Sequence, residues 1–344
     1  MLRTEVTKKG ANLELDPDAR RVVELWNSMS PRPIEDVPLH EARNSGLLTV
    51  DISGPSRPLK AVLDSTVRAA DGFEIPIRIY RPSQEPTPVV VYMHGGGWTL
   101  LSVDSCDVFL RELALTVGCA VVSVGYRLSP ENPYPTPFND CWDVLTWVRE
   151  GGLGFVPEKI AVSGDSAGGN LAAGLSIKSR DLNDGVIDFQ LLLYPACGTD
   201  LETSSMQALG PDPRFRLSKS TMGFFWSNYL GDNKDSTNPY AIPHMATSYD
   251  SVPPALIVIA GFDPLKDDGE QYAQKLARDG VDTDLLVATT LPHGFIFTLG
   301  AVPEARRVVS IIFEKLRIAL NLPISNTQYL INLHERKGES GEKC

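Results

Sequence analysis

A serine hydroxyl is a weak nucleophile near neutral pH, and the residues around Ser166 read as an arrangement that would change this. Residues 162–170, VSGDSAGGN, continue the apolar run KIAVSG and lead into AGGNLAAGL. The first stretch predicts a buried strand and the second a helix, so Ser166 stands at the turn between them. Gly164 and Gly168 flank it at two residues on either side. A strand that turns at once into a helix brings its backbone so close that bulk at those positions would collide. The spacing therefore predicts an elbow that holds the Ser166 hydroxyl outward under strain. The Ala167 amide, at the helix start, would face negative charge developing on an acyl group attached to Ser166.

A second glycine-rich stretch has matching chemistry. HGGGW, residues 94–98, directly follows the buried strand PVVVYMH. Three consecutive glycines cost ordering entropy that a plain loop has no reason to bear. Gly95, Gly96 and Gly97 free the backbone to aim N–H groups at a substrate oxygen, and each well-placed donor is worth about two to three decades in rate.

A nucleophilic serine also needs a base, and the base a carboxylate to orient it. Of the five histidines, His94 belongs to the glycine loop, while His40 and His334 lie in segments without strand context. His244, in NPYAIPHMA, reads as a surface or packing residue. His293 follows the strand DTDLLVATT and precedes Gly294-Phe295, at the carboxyl end of a late strand and so on the Ser166 edge. Asp263 ends ALIVIAGFD in the same manner and is the expected acid. Asp267 is the runner-up, because Asp267 and Asp268 fall at a helix start, where acids commonly serve the helix.

These residues need a scaffold, and the chain supplies its rhythm. From residue 60 onward β-rich runs alternate with helical patterns, which predicts an α/β fold with a mostly parallel central sheet of about eight strands flanked by helices. STVRAADGFEIPIRIYRP reads as an antiparallel hairpin around Asp71-Gly72. Phe138, Cys141, Trp142, Leu145 and Val148 make one apolar stripe on a buried helix, which Val144 and Trp147 widen.

Two regions break the rhythm. Residues 1–45 hold a helix-like stretch, DPDARRVVELWNSMS, before any strand, and residues 200–245 run through LSKSTMGFFWSNYLGDN without a strand signal. Both are expected outside the sheet, the second placed to cover a pocket. The core then divides into residues 46–199 and 246–322, followed by a polar, frayed tail over 323–344.

Composition narrows the partners. The 344 residues carry 32 basic and 43 acidic side chains, a formal charge of -11 without any Lys/Arg cluster, which argues against nucleic acid and anionic membranes. No run of about eighteen apolar residues predicts a membrane span. The start, MLRTEVTKKGANLELDP, lacks the apolar core of a secretion signal, so a cytoplasmic location is expected. Five cysteines without CxxC spacing, Cys106, Cys119, Cys141, Cys197 and Cys344, read as free thiols rather than disulfides or metal ligands.

With these residues in view, the chain resembles the hormone-sensitive lipase-like family of α/β-hydrolase carboxylesterases. The matching stretches are HGGGW (94–98), YRLSPENPYP (126–135), GDSAGGN (164–170), NPYA (238–241), DPLKDDGEQYAQKL (263–276) and HGF (293–295), in the family's order. Ser129 stands where the family usually has alanine. The order Ser166, Asp263, His293 is also that of α/β-hydrolases. The resemblance implies a triad of these three residues. It also implies oxyanion donors at Gly96, Gly97 and Ala167, with Gly95 left open, and a helical cap from residues 1–45 and 200–245.

The implied activity is hydrolysis of short- to medium-chain or aryl carboxylic esters through an acyl-enzyme, with no metal or organic cofactor. An amidase, a lactonase or a secondary-metabolite ester hydrolase would use the same machinery. A ligand receptor on this fold is disfavoured by the presence of His293. Trp98, Phe225 and Phe295 are expected to shape the substrate pocket, with neighbouring Phe224 and Trp226 as further cap aromatics. The partner is a small ester, and the assembly a monomer or homodimer.

Overall fold

The computed structural model describes residues 1–10, 13–45, 50–84, 87–233 and 236–323, so the tail expected over 323–344 falls almost wholly outside the described residues, as do His334 and Cys344. Nine strands form one sheet: β1 (Leu2–Val6), β2 (Ala61–Arg68), β3 (Glu74–Arg81), β4 (Val89–Met93), β5 (Ala120–Val124), β6 (Ile160–Asp165), β7 (Phe189–Leu193), β8 (Ala255–Phe262) and β9 (Thr283–Pro292). Their spatial order is β1-β9-β8-β7-β6-β4-β5-β3-β2. Only β3 runs against the rest; it pairs antiparallel with β2 and β5, and the hairpin turns around Asp71-Gly72 as expected.

The ninth strand corrects the sequence reading. Residues 2–6 do not precede the sheet as part of a helical segment; they extend it, pairing parallel with β9 from Leu2↔Thr283 to Val6↔Val287. The stretch LRTEV is mostly exposed and carries little apolar signal. It is held by the backbone ladder and by Arg3, whose guanidinium reaches Asp282 at 2.6 Å and Asp284 at 2.5 Å.

The helices are α1 (Pro17–Met29), α2 (Leu39–Ser45), α3 (Val50–Ser53), α4 (Asp107–Leu113), α5 (Thr136–Arg149), α6 (Ala167–Leu182), α7 (Ser204–Leu209), α8 (Lys219–Leu230), α9 (Lys266–Arg278) and α10 (Pro303–Ala319). They cover both sheet faces, which explains why the central strands are continuously apolar rather than alternating. In β4, Val89, Val91 and Met93 pack into the layer of α5, α6, α8 and α9, while Val90 and Tyr92 pack into that of α1, α4 and α10. Cys106, Cys119, Cys141 and Cys197 are buried free thiols. No described helix is long and apolar enough to cross a membrane.

The two irregular segments meet each other over the carboxyl edge of the sheet. Glu35, in a short turn after α1, accepts a hydrogen bond from the Thr221 hydroxyl of α8 at 2.9 Å, and Asn27 donates to the Arg214 carbonyl. Arg43 of α2 donates to the carbonyls of Thr99 and Ser129 and pairs with Glu131 at 2.7 Å. One strap of chain thus ties α8 to the segment that follows the glycine loop.

Candidate active site

Parallel strands place their carboxyl ends on one edge, and the chemistry-bearing residues follow from that geometry. The glycine loop leaves β4, Ser166 follows β6, Tyr194 follows β7, Asp263 follows β8 and His293 follows β9. Phe262 is the register partner of Pro292, so the next residues, Asp263 and His293, leave neighbouring strands side by side. His293 Nδ1 lies 2.7 Å from Asp263 Oδ2. Ionised Asp263 can only accept, so Nδ1 carries the proton and Nε2 is left as the basic nitrogen. Asp263 is fully buried, and its other oxygen accepts from the Leu265 N–H at 2.8 Å.

The runner-up acid is engaged elsewhere. Asp267 Oδ2 accepts from the Ser205 N–H at 2.8 Å and the Ser205 hydroxyl donates to nothing near His293 but to the Pro264 carbonyl. His244 pairs with Asp268 at 3.0 Å and stacks beside Tyr272, so it has an acid partner of its own rather than Asp263.

Ser166 has φ 55° and ψ -115°, a conformation that L-residues rarely adopt, and α6 starts at the next residue. The flanking glycines are dictated by contact. A Cβ on Gly164 would lie 2.3 Å from the Gly168 carbonyl carbon, and one on Gly168 would lie 1.9 Å from the Met93 carbonyl oxygen. The elbow is fixed by Ser166 N–H donating to the Leu193 carbonyl at 2.8 Å, while its own carbonyl accepts from Asn170 and Ala196.

Opposite the elbow, the three glycines divide in role. Gly95, which the resemblance left open as an oxyanion donor, gives its N–H to Asp165 Oδ1 at 2.9 Å and so is committed away from the substrate side. The carboxylate beside Ser166 has taken that donor. Among the described residues no acceptor takes up the N–H of Gly96 or Gly97, and Ala167, as the first residue of α6, has no intrahelical acceptor for its own. His94 Nδ1 lies 2.9 Å from the Gly95 carbonyl, and its ring stacks on Tyr126, whose hydroxyl donates to the His94 carbonyl at 2.7 Å. Burial pulls the His94 imidazole down to about 4, so it is neutral at physiological pH.

Asp165 is the residue to which the sequence reading assigned no role, although it sits inside GDSAG. It is buried, accepts from the Tyr92 hydroxyl at 2.7 Å as well as from Gly95, and faces His293 electrostatically. Desolvation raises its carboxyl from the ordinary 3.8 to about 6, against the pull of the Tyr92 and Gly95 hydrogen bonds. The sign for stability follows. The folded state holds this proton more tightly than the unfolded state, so the contribution is greatest below pH 4 and is lost as pH rises to 6. A shift of this size corresponds to about 3 kcal/mol. The stability difference between the parent and Asp165→Asn should therefore move in favour of the asparagine variant by about that amount between pH 4 and pH 7, read by urea unfolding. A difference independent of pH would show that Asp165 is not the titrating group.

The expected pocket aromatics separate as well. Trp98 and Phe295 are wholly buried in packing rather than set on a solvent-facing wall. Trp98 stacks on Tyr229 at 4.3 Å between centroids and meets Trp226 at 4.5 Å. Phe295 packs edge-on against Tyr194 at 5.5 Å, in the layer of α4 and α10. Their large rings return more free energy in the core than on a wetted surface. Phe225 is different: its ring lies where a Cβ on Gly97 would come within 2.2 Å, so α8 rests directly on the glycine loop.

The comparisons with known proteins agree with this geometry. Residues 90–297 match the family described as alpha/beta hydrolase fold. The chain is 38% identical over 277 residues to esterase LipI of Mycobacterium tuberculosis, covering 78% of this chain and 86% of that one. It is 32% identical over 308 residues to an arylesterase of Saccharolobus solfataricus, covering 87% and 97% respectively. Among solved structures, the hyperthermophilic esterase from Pyrobaculum calidifontis superposes with a TM-score of 0.81 at 35% identity, over 90% of this chain and all of that one.

Proposed function

Because the chain belongs to the α/β-hydrolase fold family, among its hormone-sensitive lipase-like carboxylesterases, and is a carboxylic ester hydrolase, we propose that Ser166 is its nucleophile, His293 its general base and Asp263 the acid that orients the base. The observation that carries this reading is the 2.7 Å contact between His293 Nδ1 and Asp263 Oδ2 on the sheet edge where Ser166 is held in its strained elbow. His293 Nε2 takes the Ser166 proton as the hydroxyl oxygen attacks the ester carbonyl. The tetrahedral oxyanion is received by the N–H groups of Gly96, Gly97 and Ala167, and Gly95 serves that loop from behind through Asp165. The imidazolium gives its proton to the departing alcohol. A water, deprotonated by the same nitrogen, then attacks the acyl-enzyme carbonyl and releases the acid and free Ser166. Asp263 stays ionised throughout and stabilises the imidazolium.

Residues 13–45 and 200–245 act as the cap, supported by their mutual contacts through Glu35–Thr221 and Asn27–Arg214. The substrate is a short- to medium-chain or aryl ester, a size limit supported by the Phe225 ring of α8 resting against Gly97 of the glycine loop. The four buried thiols suit a reducing compartment and hence the cytoplasm. The test is a series of 4-nitrophenyl esters from C2 to C16 beside a triolein emulsion. The expected kcat/KM peaks between C4 and C8 and falls at least about tenfold by C16; turnover of triolein comparable to that of the C4 ester would refute the assigned size limit.

A further inference from the structure

We infer that Trp98 is a positioning residue for the oxyanion loop: its ring, gripped by Trp226 and Tyr229 of α8, holds the amides of Gly96 and Gly97 in place, so that the oxyanion site is complete only while α8 is seated. This rests on the reading of those amides as oxyanion donors given above. The loop turns through three successive residues with positive φ, Gly96 at 95°, Gly97 at 59° and Trp98 at 55°. Glycine enters that region freely, whereas a bulky L-residue stays in it only where its surroundings hold it there. Trp98 is therefore the residue at which the loop relaxes once its restraint is removed. The two donor amides lie directly before it in the chain, and a change of φ at Trp98 displaces them.

The restraint comes from one helix. Trp98 is wholly buried, and its indole N–H has no hydrogen-bond partner among the described residues, so ring packing does the holding. The ring lies nearly parallel to Tyr229, with 7° between the planes at 4.3 Å, and meets Trp226 at 4.5 Å. Met222, Phe225, Trp226 and Tyr229 recur at helical spacing as the buried face of α8. Three of these four bear on the loop: Phe225 on Gly97, and Trp226 and Tyr229 on Trp98.

The backbone closes the same circuit. The Trp98 carbonyl accepts from the Ser129 N–H at 2.8 Å, and the Tyr229 carbonyl from the Tyr134 N–H at 2.6 Å. Tyr134 also meets the Tyr229 ring edge-on at 5.7 Å. The loop, residues 129–134 and the end of α8 are thus joined in a ring of contacts, in which Trp98 is the side chain that links α8 to the donors. The Tyr229 hydroxyl has no hydrogen-bond partner among the described residues, so a phenyl ring in its place keeps the stack and removes nothing polar that the circuit uses. Because the oxyanion forms only on the way to the tetrahedral intermediate, loosening this circuit acts on kcat rather than on substrate binding.

The experiment compares Tyr229→Leu, Tyr229→Phe and Trp98→Phe with the parent on 4-nitrophenyl butyrate. Competent sites are counted by the 4-nitrophenolate released from diethyl 4-nitrophenyl phosphate, so unfolded protein drops out of the comparison. Tyr229→Leu should lower kcat per site about thirtyfold with KM within about threefold, while both phenylalanine variants, which keep a ring in the stack, stay within about fivefold of the parent. Two ketones then separate a displaced oxyanion loop from general disorder. Ser166 Oγ bonds to the carbonyl carbon of 1,1,1-trifluorohexan-2-one, its proton passes to His293 Nε2 and the carbonyl oxygen becomes an oxyanion, whereas hexan-2-one binds without addition. In Tyr229→Leu the inhibition constant of the trifluoro ketone should rise by the factor by which kcat/KM falls, and that of hexan-2-one should stay within about twofold. If Tyr229→Leu yields no competent sites, Trp226→Leu, which removes the other ring on Trp98, is held to the same criteria. A kcat per site within about threefold of the parent, or an equal change for both ketones, overturns the role of Trp98 alone. A parent that binds the two ketones alike would instead overturn the oxyanion reading on which it rests.

Discussion

Ser166→Ala should lower kcat for 4-nitrophenyl butyrate by about 10⁶, with the fold and KM little changed. Alanine keeps the Cβ that the elbow already accommodates, so the turn at φ 55° and its hydrogen bonds to Leu193, Asn170 and Ala196 survive. Only the attacking oxygen is lost. His293→Ala should cost about as much, and the double variant little more than either alone, because nucleophile and base act as one unit. A residual rate of about 10³–10⁴ over water should remain, supplied by the amides of Gly96, Gly97 and Ala167 and by substrate binding. Steady-state assay with a burst correction for any acyl-enzyme measures all three variants. Activity of Ser166→Ala within tenfold of the parent would remove Ser166 from the mechanism.

Gly168→Ala should abolish soluble, folded protein. The added methyl would sit 1.9 Å from the Met93 carbonyl oxygen and 2.7 Å from that of His94, atoms at the end of β4 and the start of the glycine loop that cannot move without opening the sheet. Overpacking against side chains typically costs 1–3 kcal/mol, whereas here both partners are backbone, so a loss beyond about 5 kcal/mol is expected. Gly223→Ala is the control. Its Cβ meets nothing within 4 Å on α8, and alanine in an open helical position should add about 0.5–1 kcal/mol. Urea unfolding midpoints and soluble yield of the two variants report the contrast. A Gly168→Ala protein with the parent's midpoint would mean that the elbow is looser than its contacts require.

Much of this arrangement was legible before any coordinates. Ser166, Asp263 and His293 each follow a β-branched run, and the rule that parallel strands deliver their loops to one edge places them together. What remained hidden depends on partners far away in sequence. Strand β1 is polar and five residues long, and it exists because β9, some 280 residues later, offers an unpaired ladder and two aspartates to Arg3. Nothing in LRTEV announces that. Gly95 looks identical to Gly96 and Gly97 in HGGGW; only the position of Asp165, brought alongside by the β4–β6 pairing, commits its amide elsewhere. Trp98 and Phe295 flank site residues in the chain, and adjacency suggested a pocket. Their rings turn instead into α8 and into the layer beneath Tyr194, because side chains next to a site residue need not share its direction.

The two stretches without strand signal were legible, whereas the contacts by which they hold the glycine loop were not. Glu35, Arg43 and Phe225 each spend their polar or aromatic group on a partner in another segment, and the glycine loop is thereby held from above by α8 and from behind by Asp165. Preorganised amides of this kind stabilise charge without reorganising as it forms, which is where the largest share of the rate acceleration is expected to arise.

The most direct measurement is covalent. Incubation of the parent with a fluorophosphonate probe, digestion and peptide mass spectrometry should find one phosphonate on the peptide containing Ser166, formed with the same rate constant as the loss of esterase activity, and none in His293→Ala over the same time. A fully inactivated enzyme whose adduct lies on any other residue would contradict the assignment.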